Sequence, residues 1–182
     1  MEKTFKIQRV GFIIYLITLL IVAFFSLSFM TNYENLFGFY LPINKGVIDF
    51  HQHMLGYNNV LFWFSVVGCV SILFMFVFEL KSKICDLFAL GVMTTFGAVN
   101  IASSVYGFMR LSSLMTEYKG VDFSHMGEED KALEGVVYNL QFETFYIGYA
   151  VLAILLVITL AYIATLWINH ILYKKSEVLN HE

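Results

Sequence analysis

From Phe145 to Ile168 the chain runs FYIGYAVLAILLVITLAYIATLWI, 24 residues without one Asp, Glu, Lys, Arg or His. At about 1.5 Å per residue a helix of that length exceeds the roughly 30 Å hydrocarbon core of a bilayer, with room for some tilt. A soluble domain has no use for so long an uncharged run. The sequence therefore reads as an integral membrane protein, and the remaining segments as what such a helix packs against.

Composition agrees. Hydrophobic residues make up 59% of the chain, the mean hydropathy is +0.72, and only 14% of residues are charged, against about 25% in soluble domains. That leaves no polar surface for a separate globular unit, so the 182 residues are expected to form a single transmembrane domain, residues 1–182. The net charge of −3 and the lack of any Lys/Arg-rich run argue against nucleic acid as a partner. Cys69 and Cys85 lie in or beside apolar stretches and read as packing residues rather than as a disulfide.

Four apolar runs predict an all-α fold, a membrane four-helix bundle in up-down-up-down order, with helices at about 10–30, 46–79, 85–116 and 128–173. The head carrying Lys3, Lys6 and Arg9 precedes an apolar region longer than the 7–15 residues of a secretory signal, so it opens a retained helix. Pro42 and Gly46 punctuate the first outer connection, 31–45. Beyond it Val47, Phe50, Met54 and Leu55 recur at helical spacing, so helix two is expected to start outside the bilayer. The second outer connection is placed at 117–127. The stretch GEEDKALEG after it has helix-start chemistry, so helix four is also expected to project beyond the bilayer. Along helix three the small residues Gly91, Thr95, Ala98 and Ala102 mark a seam for close helix approach.

Charge sets the orientation. The head, the ELKSKICD hinge and the tail hold seven of the eleven basic residues, whereas residues 31–59 and 110–144, the long connections with their flanking helix ends, hold four basic residues and nine acids. By the positive-inside bias both termini are expected to be cytoplasmic, in the plasma membrane, with an acidic outer face.

No glycosylation sequon, GxGxxG, P-loop, EF-hand loop, nucleophile elbow or HExxH pair occurs. What remains is a candidate polar cluster at the outer mouth: His51, His53, Arg110, Asn139 and Glu143. Arg110 and Glu143 each border an uncharged run, where lost hydration favours a partner. Glu143 is expected to pair with Arg110 or to hydrogen-bond with His53. His51 and His53, two residues apart on a helix, point about 200° from one another, so no metal and no cofactor are assigned. Asn100, deep in helix three, is expected to make an interhelical hydrogen bond.

Topology alone is shared with several families, and their marker residues are missing. Claudin-like proteins carry a Trp and two cysteines in the first outer loop, and tetraspanins a cysteine-rich second loop; residues 31–59 and 111–144 contain neither. Four-helix b-type cytochromes hold haem by histidines inside the bundle, and none of the five histidines here lies near a bilayer centre. Beyond the lipid bilayer itself, the expected partner is a membrane protein or a second copy of the chain. The expected function is a non-enzymatic bundle component of a larger membrane assembly, with a small membrane enzyme or carrier using the outer polar cluster as the alternative.

Overall fold

The computed structural model describes residues 2–28, 45–82, 87–121 and 141–179. These residues form four helices: α1 Glu2–Ser28, α2 Lys45–Ser82, α3 Leu87–Lys119 and α4 Gln141–Leu179. Each contains a stretch long and apolar enough to cross a membrane: Lys6–Leu27, Asp49–Phe74, Leu87–Lys119 and Phe142–Lys175.

Helix α1 begins at Glu2 rather than near Val10. Hydropathy marks where a chain becomes apolar, not where it becomes helical, and Lys and Arg are good helix formers. Gln8 on that first stretch is buried and bonded to Asn169 of α4, so packing also extends there. Helix α3 runs on to Lys119 because Leu111, Leu114 and Tyr118 continue its buried face past Arg110. It closes in a tight turn, Gly120 N–H donating to Glu117 O at 2.9 Å and Val121 N–H to Tyr118 O at 3.2 Å. The segment after Lys45 is helical, as its spacing predicts. The expected start of helix four at 128–140 lies outside the described residues, as do 29–44.

Each helix packs on two others: α1 on α2 and α4, and α3 on α4 and α2, with the α2–α3 seam the least extensive. Contacts fix the directions. Gln8 meets Asn169 while Phe25 lies against Gly148, so α1 and α4 are antiparallel. Phe12 meets Phe76 and Leu19 lies against Gly68, so α1 and α2 are antiparallel as well. On α3, Gly97 faces Ile163 and Gly107 faces Leu152, which again reverses the direction. The ends of α1 and α4 carrying Gln8 and Asn169 thus share one end of the assembly, called here the terminal end. Ser28, Lys45, Lys119 and Gln141 lie toward the other, the distal end.

Where α3 crosses α4, any side chain larger than hydrogen on two of its glycines would force a neighbour to move. A Cβ on Gly97 would sit 2.8 Å from Ile163 Cγ1, and one on Gly107 2.9 Å from both methyls of Leu152. The face of α3 that packs inward is therefore Gly97, Asn100, Ser103, Ser104 and Gly107. Gly91, Thr95, Ala98 and Ala102, the seam expected from spacing, are exposed on its outward side.

Candidate functional site

The distal end is built around Tyr118. Its ring, buried near the end of α3, lies 5.3 Å from Phe50 of α2 and 5.4 and 5.9 Å from Phe142 and Phe145 of α4. One aromatic side chain thus joins three helices, an arrangement that buries much apolar area at little entropic cost. On this frame His53 of α2 and Glu117 of α3 come together, with Nδ1 2.8 Å from Oε1. An ionised carboxylate can only accept, so against ionised Glu117 the donor is Nδ1. The two side chains are 52% and 32% exposed.

Of the other expected members of the cluster, His51, Arg110 and Glu143 are among the described residues. His51 is half-buried, its ring edge-on to Phe50 at 5.4 Å. Arg110 is half-buried on α3. Glu143 is exposed in the first turn of α4, where a negative charge suits the positive end of the helix dipole. Among the described residues no ion pair joins Glu143 to Arg110, and the carboxylate bonded to His53 is that of Glu117. Asn139 lies outside the described residues. Among the described residues no group of three or more His, Cys, Asp or Glu side chains is placed to hold a metal ion.

Glu117 is the member that sequence reasoning assigned to a connection. The signal that would have found it is the continued spacing Leu111, Leu114, Met115, Tyr118, which keeps α3 helical past Arg110 and places Glu117 level with His53.

Midway along the helices a second polar group is fully enclosed. Asn100 Nδ2 donates to the Tyr15 hydroxyl at 2.6 Å, and that hydroxyl also meets Thr159 of α4, whose own hydroxyl donates to Leu155 O at 2.7 Å. Three helices are tied through one phenol. At the terminal end Asn169 Nδ2 donates to Gln8 Oε1 at 2.7 Å, and Trp167 Nε1 donates to Thr94 Oγ1 at 3.1 Å. The remaining buried hydroxyls mostly satisfy themselves: Thr18, Ser26, Ser65 and Ser104 each donate to the carbonyl four residues earlier.

Among the described residues the distal end offers an imidazole hydrogen-bonded to a carboxylate. Compared with known proteins, the chain matches no protein-family model, no curated protein and no solved structure.

Proposed function

We propose that this chain is a multi-pass membrane protein whose four helices cross the bilayer in alternating directions, both termini cytoplasmic, and that it works as a lateral packing component of a membrane assembly. The observation that carries the first part is the outward surface. Only 28–39% of each apolar span is buried within the chain, and large apolar side chains such as Phe24, Trp63, Phe74, Phe88, Met109 and Val157 stand exposed on all four helices. Water does not tolerate a continuous apolar belt of this extent, and lipid does.

Support for lateral packing comes from α3. Gly91 and Thr95 floor an apolar groove walled by Phe88, Val92, Phe96 and Val99, and a Cβ on Gly91 would meet nothing within 4 Å. In lipid, where helices associate by close packing, such a groove suits one further transmembrane helix from a partner or from a second copy. A carrier or enzyme is the second reading, favoured by the His53–Glu117 pair.

Topology is tested by single cysteines placed in a chain lacking Cys69 and Cys85. Sites at Asn44 and Gly120 should react with an impermeant thiol reagent from outside, and sites at Ser82 and Ser176 should not. Labelling of Ser82 from outside would overturn the orientation. Function is tested by purification in mild detergent and identification of what travels with the chain. Loss of a co-purifying membrane protein, or of a dimer, in Gly91→Leu would support the packing role, and a monomer carrying a small bound molecule would favour the second reading.

A further inference from the structure

Two adjacent residues of α2, Tyr57 and Asn58, are 3% and 1% exposed, and among the described residues neither the Tyr57 hydroxyl nor Asn58 Nδ2 has a hydrogen-bond partner. The device that satisfies the buried serines and threonines, donation to the carbonyl one turn back, is out of reach for a phenol at the far end of an aromatic ring. A buried donor left without an acceptor costs about 1–3 kcal/mol, so two neighbours in this condition call for a common explanation. Their position supplies one. Tyr57 follows His53 by one helical turn, and the His53 side chain is 52% exposed. Tyr106 of α3 and Tyr149 of α4 are the electrostatic neighbours of Tyr57, so phenols from three helices gather at this level.

We infer that water enters the assembly from the distal end and is bound by the Tyr57 hydroxyl and the Asn58 amide, which form an internal hydration site one turn beneath the His53–Glu117 pair. Both unpaired groups offer N–H or O–H, so the atom bound is an acceptor oxygen, and the phenol can also accept from water in return. On α2 the next buried residues toward the middle are Leu61 and the self-bonded Ser65. Deeper still, Tyr15, Asn100 and Thr159 satisfy one another. Those three groups therefore need no water of their own.

The test is hydroxyl-radical footprinting of the full chain in lipid nanodiscs, because radicals formed from a bound water oxidise adjacent side chains however buried they are. Tyr15 is the internal control, a phenol 1% exposed whose hydroxyl is occupied by Asn100. Oxidation of Tyr57 should rise with dose while Tyr15 stays at background, and Asn58→Leu should bring Tyr57 down to the level of Tyr15. Tyr57 at background in the unaltered chain overturns the site. So does an Asn58→Leu chain with unchanged Tyr57 oxidation, since the amide would then hold no water. Should that variant fail to fold, the comparison of Tyr57 with Tyr15 in the unaltered chain still decides.

Discussion

Asn100 and Tyr15, 85 residues apart in sequence, are joined by a 2.6 Å hydrogen bond in the buried middle of the helices. The bond links α3 to α1, two helices that lie diagonally across from one another and otherwise have little contact. Its loss should therefore loosen the whole arrangement rather than one seam. Interhelical hydrogen bonds in membranes average about 0.6 kcal/mol and reach about 1.7. Tyr15→Phe should cost about 1–2 kcal/mol, since it also strands the Asn100 amide. A double-mutant cycle with Asn100→Leu, followed by reversible unfolding in mixed micelles, should give a coupling of about 0.5–1.5 kcal/mol. Strict additivity would remove the bond from any structural role.

Gly97 and Gly91 should behave oppositely although both are small residues on α3. Alanine at Gly97 must displace Ile163 or separate α3 from α4, and overpacking of this kind costs about 1–3 kcal/mol. Alanine at Gly91 meets open space and should leave stability within about 0.5 kcal/mol. Thermal unfolding of the two variants in detergent checks the contrast. Equal destabilisation would mean that the outward groove is filled by the chain's own packing.

The same two glycines show what a sequence of this type can and cannot reveal. Helix number, approximate span and the role of Asn100 follow from runs of apolar residues interrupted by charge. The inward face does not, because helices bound for lipid are apolar all round and periodicity no longer separates inside from outside. Two stripes of small residues coexist on α3, Gly91 with Thr95, Ala98 and Ala102, and Gly97 with Ser104 and Gly107. Spacing alone cannot say which faces the partner helices. The His53–Glu117 contact at the distal end was not legible as a pairing. His53 was singled out, yet its partner depended on α3 continuing three residues past its expected end, a detail that helix-end signals rarely resolve.

His53 and Glu117 bridge the least extensive helix seam, and their energetic weight should nonetheless be small. Both side chains are partly exposed, and a polar pair so placed contributes about 0–1 kcal/mol. Glu117→Gln should lower stability by no more than that, and the difference from the unaltered chain should shrink as salt rises. A larger, salt-independent loss in chemical unfolding would show that the pair is shielded in the bilayer.

Arg110 and Glu143 should act independently of one another. Glu143 is exposed in the first turn of α4, and Arg110 is half-buried on α3 with no ion pair to it. A long, flexible Arg side chain at the border of an apolar run can lay its stem on apolar surface and direct its guanidinium toward headgroups, so it needs no carboxylate. Glu143 has its own stabilising partner in the positive end of the α4 dipole, for which a neutral Gln is a weaker match and a Lys an adverse one. Glu143→Lys should accordingly destabilise more than Glu143→Gln, and the ranking should persist in an Arg110→Met background. The double variant Arg110→Met, Glu143→Gln should equal the sum of its parts within about 0.3–0.5 kcal/mol, as for sites that share no contact. Unfolding of all four chains in the same micelles measures this. A coupling above about 1 kcal/mol would restore a direct Arg110–Glu143 interaction and move the centre of the distal polar site from His53 and Glu117 toward α4.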